Sequence, residues 1–208
     1  MEHSNKVELT GWYGGDETHA LSAWTSTSRD LDDSKRNRMG GLLNMLASEG
    51  HHTPFEKSYL HFLVTCDTAT HIHLLKHRVG VSVNGESARY KEHKEDKFLI
   101  PSDWPESEQE YLKHFSTDAY STYHSTLERL GDAGVDRKRA KESARFYLPY
   151  SSQVTLDISF NFRSFMHYCG LRGKDDAQLE VRELTHSMLD LVRETGDFNL
   201  SLKGFGYA

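Results

Sequence analysis

Between Phe55 and Cys66 the side chains Leu60, Phe62, Val64 and Cys66 alternate with Tyr59, His61, Leu63 and Thr65. That period of two marks a strand with one strongly buried face, and Pro54 marks its start. A strand of this kind needs a partner layer. Lys6 to Tyr13, before Gly14-Gly15, reads as a first strand with a helix after it, and Val154 to Phe160 alternates as another strand. The remaining long segments carry helical spacing. Ser34 to Ser48 places Met39, Leu42, Leu43, Met45 and Leu46 on one broad face and stops at Gly50. A short helix follows Asp67-Thr68 and runs through His77. Glu106 to Leu130 is polar with spaced apolar residues, and Gly131 and Gly134 end it. Arg137 to Phe146 restarts helix before Pro149, Asn161 caps a helix through Tyr168, and Asp176 to Glu194 forms the last long one. Strands and helices do not alternate regularly, so the expected class is α+β: a single domain, mostly antiparallel sheet with long helices packed on it.

At 208 residues the chain is long enough to bury a core without disulfides or metals. A net charge of -6 argues against a general nucleic-acid binder, because counterion release requires a broad basic face. The two cysteines, Cys66 and Cys169, have neither metal-ligand spacing nor the density of a disulfide scaffold, which points to a reducing compartment. No apolar run approaches bilayer length and the start of the chain is not a signal peptide, so a soluble cytoplasmic protein without membrane or nucleic-acid polymer partners is expected.

The segment from Lys76 to Tyr90 is too polar for core and concentrates cations, hydroxyls, an amide and glycine. It reads as an anion-binding loop, entered from a helix end and continued as loop or extended chain. Arg78 and Arg89 offer bidentate contacts to phosphate, Ser87 a hydroxyl, and Gly85 close approach of backbone amides. A solvated basic turn is the plainer reading of the same composition.

The order Lys76-His77-Arg78, eight residues, Ser87, then Arg89-Tyr90 resembles the signature of flavin-dependent thymidylate synthases. Three further blocks resemble that family in the right order: Gly50 to Glu56 with His52, Thr53, Pro54 and Phe55; Ala144 to Pro149; and Asn161 to His167, continuing through Leu171-Arg172 to Ala177-Gln178. Lys76 stands where the family has arginine, His73 where glutamine is common, His167 where asparagine is common and Asp176 where histidine is common.

The resemblance implies reductive methylation of dUMP to dTMP, with FAD as cofactor, NADPH as reductant and 5,10-methylenetetrahydrofolate as carbon donor. It places dUMP against His73, Lys76, Glu86, Ser87, Ala88, Arg89, Arg145 and Arg172. It places FAD against Thr53, Lys76, His77, Arg78, Glu86, Asn161, Arg163 and His167. Arg172 takes the catalytic role, stabilising negative charge on the uracil ring. A homotetramer with active sites at subunit interfaces is also implied. No GxGxxG pattern is present, so flavin binding follows from the resemblance alone.

Other chemistries compete for these residues. His73 and His77 have the i,i+4 spacing of a zinc chelate, but no acid sits where an H-E-x-x-H site needs it, and no metal is expected. Cys169 is a candidate nucleophile for the cysteine-dependent route, though Tyr168, Gly170 and Leu171 read as packing around a buried thiol. Ser87 lacks a Gly-x-Ser-x-Gly elbow and is assigned as a donor to the nucleotide. A non-catalytic nucleotide-binding or regulatory protein is the main alternative, and a metal-dependent hydrolase the third.

Overall fold

The computed structural model describes residues 3–87, 89 and 92–207. The order is β1 Lys6–Tyr13, α1 Asp16–Trp24, α2 Asp33–Ser48, β2 Tyr59–Asp67, α3 Thr68–Leu74, β3 Val81–Gly85, α4 Glu106–Asp132, α5 Arg137–Ala144, β4 Gln153–Asn161, α6 Phe162–Arg172, α7 Leu179–Glu194 and α8 Asn199–Gly204, with 3-10 turns at Thr53–Glu56 and Arg145–Tyr147. The strands hydrogen-bond in the order β1-β2-β4-β3. Their registers are antiparallel: Asn5 meets Asp67 where Thr10 meets His61, and Asn161 meets Gly80 where Glu86 meets Thr155.

The α+β class stands, but a protein that is mostly sheet does not. Among the described residues helix accounts for 53% and strand for 16%, so helices form the bulk and the small sheet is the minor element. The cause lies in segment length. The strands are five to nine residues long, whereas α4 alone runs 27, because its apolar residues keep helical spacing to Leu127 without a glycine before Gly131.

Local boundaries also differ from expectation. Pro54 lies in the first turn of the 3-10 segment Thr53–Glu56 and does not open the strand, since its fixed φ suits the start of a helical turn. The Asp67 carboxylate accepts from Thr70 N at 2.9 Å and fixes the start of α3, which ends at Leu74, short of His77. Of the two readings of the segment after His77, loop or extended chain, Val81–Gly85 takes the extended one as β3, and α7 begins at Leu179 rather than Asp176.

The chain divides into two compact units, each assembled from separate stretches. The first comprises Met1–Lys6, Val64–Lys76 and Asn84–Leu156; the second comprises Val7–Leu63, His77–Val83 and Asp157–Ala208. In the first unit α4 packs on α5 through buried Tyr123, Leu127, Ala140 and Ala144, and Leu130, Val135 and Leu148 seal the edge. The Tyr120 hydroxyl donates to Lys97 O at 2.7 Å, so the ring is buried without orphaning its polar end.

In the second unit α7 turns Val181, Leu184, Met188, Leu189 and Val192 inward at helical spacing. Phe62, Phe160 and Phe165 pack with ring centroids 5.5–6.2 Å apart. Each fully buried phenylalanine contributes about 1.5–3 kcal/mol by leaving water. Among them sits His19, fully buried against Phe55, Phe162 and Phe198. Its Nδ1 shares a hydrogen bond with Ser201 Oγ at 2.8 Å and its Nε2 another with Ser58 Oγ at 2.7 Å. Both nitrogens are satisfied by neutral hydroxyls, which suits a neutral ring. Burial lowers its pKa to about 3.

Gly80 sets a tighter constraint. It adopts φ +64° beside the start of α6, and a Cβ there would lie 2.2 Å from Asn161 Nδ2 and 2.4 Å from Ser164 Oγ. The Gly80 carbonyl accepts from Asn161 N at 2.9 Å, while Asn161 Oδ1 caps α6 by accepting from Ser164 N at 2.8 Å. No side chain fits between strand entry and cap. Gly80→Ala is expected to destabilise the protein by roughly 2 kcal/mol or more, through strained backbone and overlap together; an unchanged urea midpoint would refute the close fit.

The His19 ring is expected to stay neutral to below pH 4, as read from its nitrogen chemical shifts. Its unfolded counterpart takes up a proton near pH 6.5, so stability held above that pH is lost as pH falls toward 3, by up to about 1.4 kcal/mol per pH unit from this group. Titration of His19 near 6.5 in the folded protein would contradict this.

Candidate active site

A cleft of about 740 Å³ opens in the first unit, lined among others by His71, Glu86, Ser87, Arg145, Tyr150 and Thr155. That volume suits a small-molecule ligand. Glu86 follows the last residue of β3 and continues its pairing: its N–H donates to Thr155 O at 2.8 Å, and its Oε2 accepts from Thr155 N at 3.1 Å. Both backbone and carboxylate are therefore fixed. Ser87 Oγ accepts from Arg89 N at 3.3 Å.

Two arginines of this unit that the sequence motifs single out, Arg89 and Arg145, differ in availability. Arg89 Nε donates to Glu142 Oε1 at 2.8 Å, and that hydrogen bond holds the Glu142 carboxyl below the usual carboxylate range. Arg145 opens the 3-10 turn after α5, is exposed, and makes no side-chain hydrogen bond or ion pair among the described residues. Arg145 is thus a guanidinium presented to the cleft, with Lys94 and Lys97 also in its lining, and offers an anion a bidentate contact. Two sequence candidates, His73 and Lys76, are not among the lining residues, whereas His71, two residues earlier on α3, is. Ala88 and Tyr90 lie outside the described residues.

In the second unit the half-buried Arg172 ends α6, and its Nε donates to His77 Nε2 at 3.0 Å. Nε2 therefore carries a lone pair and the ring proton sits on Nδ1. Tyr168 meets His77 edge-on, with centroids 5.0 Å apart at 82°, and its hydroxyl shares a 2.9 Å hydrogen bond with Thr185. A guanidinium is thereby aimed by an imidazole that a buried tyrosine holds in place. Sequence reasoning assigned His77 to a cofactor; its role as the partner of Arg172, and that of Tyr168, emerge only from the fold.

The remaining candidates of this unit are variously committed. Arg163 forms an ion pair with Glu56. Asn161 spends its side-chain oxygen on the α6 cap. His167 is exposed with its ring centroid 6.2 Å from that of His77, and Arg78 is exposed with no side-chain partner among the described residues. Thr53 lines a shallow recess with Ser22, Leu46 and His51.

Both thiols are buried and unpaired, and burial pushes each well above the ordinary cysteine range. That is the opposite of the thiolate activation a nucleophile needs. Among the described residues no three His, Cys, Asp or Glu side chains converge as a metal-ligand set, and no helix is long and apolar enough to cross a membrane.

Residues 8–195 match the family model described as thymidylate synthase complementing protein. Flavin-dependent thymidylate synthases of Streptomyces coelicolor and Pseudothermotoga lettingae are 30% and 29% identical, over alignments covering 82% and 90% of this chain and 76% and 84% of theirs. The crystal structure of a UMP/dUMP methylase PolB from Streptomyces cacaoi, bound with 5-Br dUMP, superposes with a TM-score of 0.82 over 99% of this chain and 96% of that one at 26% identity. The same methylase bound with 5-Br UMP gives 0.79. With nine-tenths of its length inside the family model, this chain belongs to the thymidylate synthase complementing protein family, the flavin-dependent thymidylate synthases.

Proposed function

We propose that the protein converts dUMP to dTMP, with methylenetetrahydrofolate giving the carbon and NADPH the hydride. The observation that carries this reading is the open guanidinium of Arg145 beside the fixed Glu86 and Ser87 in the first unit's cleft, a donor set suited to a nucleotide monophosphate. Ser87 adds a hydroxyl donor, and Arg89 remains able to reach phosphate by exchanging Glu142. His73 and Lys76 are assigned to dUMP on the family pattern alone.

The residues of the second unit suit FAD by the chemistry of their donors: Arg78 is open to a diphosphate, and His167 adds an imidazole. Arg163 joins them on releasing Glu56, and Thr53, His77 and the backbone of Asn161 complete the set; Lys76 and Glu86 are assigned to FAD on the family pattern alone. Bound FAD supplies the reducing equivalents that it takes from NADPH. The protein's own contribution is charge and position. On the family pattern Arg172, set by His77, is assigned the catalytic role of stabilising the anion that forms when N3 of the uracil loses its proton, which raises electron density at carbon 5.

Assembly as a homotetramer completes these sites with segments of more than one copy. Support comes from apolar side chains that a lone chain leaves in water, among them Val79 at 85% exposure and Phe146 at 77%. Sedimentation is expected to show a tetramer, and a fully active monomer would refute it.

Anaerobic incubation with FAD, NADPH, dUMP and methylenetetrahydrofolate is expected to yield dTMP. UMP belongs in the same assay, because the PolB methylase was solved with nucleotides of both sugars. A colourless protein that binds dUMP without turnover would instead support the non-catalytic nucleotide-binding reading. Arg145→Ala is expected to raise the KM for dUMP by about 10- to 150-fold, the loss of a charged hydrogen bond of ~1.5–3 kcal/mol.

Arg172→Ala is expected to keep fold and flavin while losing ~3 kcal/mol or more of transition-state stabilisation, and Arg172→Lys to rescue poorly. Near-normal turnover of the alanine variant would reject the role. Cys66→Ser combined with Cys169→Ser is expected to retain substantial activity. A folded but inactive double variant, with a denaturation-resistant dUMP adduct on Cys169 of the parent, would favour a cysteine nucleophile.

A further inference from the structure

His19 and His71 show two fates of a histidine shielded from water. His19 satisfies both nitrogens with serine hydroxyls. The side chain of His71, half-buried on α3, makes no hydrogen bond among the described residues, although it lines the cleft that Glu86, Ser87 and Arg145 also line. Its Nε2 lies 3.9 Å from where a Cβ of Gly85 would stand, so the missing side chain at 85 leaves that nitrogen open beside the backbone leading into Glu86. Burial lowers its pKa below the ordinary value, which keeps the ring neutral at pH 7, with one N–H and one lone pair. A shielded imidazole without a partner calls for one, and the cleft's occupant is the available source.

We infer that His71 is a specificity-determining residue that hydrogen-bonds a sugar hydroxyl of the bound pyrimidine nucleotide. The inference rests on the nucleotide reading of this cleft given above. Charge separates the roles. A phosphate is matched by the Arg145 guanidinium, and a neutral imidazole adds little to a dianion. A hydroxyl both donates and accepts, which matches either nitrogen of a neutral ring. A site built to hydrogen-bond a hydroxyl discriminates strongly against the analogue lacking it, because the protein group is then left unpaired.

The test compares dissociation constants for UMP, dUMP and 2′,3′-dideoxy-UMP, measured by calorimetry on FAD-loaded protein without folate. The parent is expected to distinguish at least one adjacent pair about tenfold. In His71→Ala that ratio is expected to collapse to within about twofold, with His71→Gln restoring part of it and inorganic phosphate binding unchanged. Arg145→Ala is expected to weaken all three nucleotides alike and preserve the ratio. Because each ratio is internal to one variant, loss of stability does not mimic the result. His71→Leu, which keeps the packing, reads the same ratio should the alanine variant not fold. Unchanged ratios in the His71 variants, or a parent indifferent to both hydroxyls, would overturn the inference while leaving the nucleotide site intact. A parent that binds none of the three would overturn the site reading and this inference together.

Discussion

The contact between Gly80 and the cap of α6 is the constraint on which the second unit's chemistry depends. One glycine carbonyl takes the Asn161 amide while the Asn161 side chain holds the first turn of α6, and the two leave no room for a Cβ. His77 and Arg78 precede that glycine by two or three residues, and Arg163, His167 and Arg172 follow the cap on one helix. Their relative placement is therefore decided by backbone geometry. The Arg172 to His77 hydrogen bond refines an arrangement that the glycine has already imposed.

The distribution of counter-charges sorts the arginines by function. Arg89 and Arg163 rest on carboxylates, and both pairs are partly exposed, where such pairs contribute little to stability. A guanidinium so held can exchange its carboxylate for a ligand's phosphate at small net cost. Arg145 and Arg78 have nothing to exchange and are open from the outset. Arg172 is different again, since its partner is a neutral imidazole that leaves its positive charge uncompensated.

The sequence made the elements of this fold legible wherever periodicity was strong: β2, α2, α4 and the Asn161 cap stand close to where the pattern placed them. It misjudged the balance of helix and sheet, because short alternating strands are conspicuous while the helices account for more residues. The site's chemistry was carried by a motif, and a motif names residues without saying which face they occupy. His73 matches the family position, yet on α3 it is His71 that lines the cleft, since residues two apart point nearly opposite ways on a helix. Asn161, recognised at a cofactor position, also holds the α6 cap through its side-chain oxygen, a second task the motif does not state. Nothing in the sequence marked His19, because a saturated buried histidine and an exposed one look alike until their neighbours are known.

The scattered make-up of the two units bears on how the chain comes off the ribosome. The first unit pairs His3 with Phe98 and Ile100, and the second holds His19 against Ser201, 182 positions later. At about 5–20 residues per second, His19 waits on the order of ten to forty seconds for that partner to be made. Until then the ring has half its hydrogen bonds and the phenylalanines around it lack Phe198. The second unit cannot close during synthesis as a growing domain does; it closes after nearly the whole chain has emerged. The long loops joining its distant stretches then set the pace.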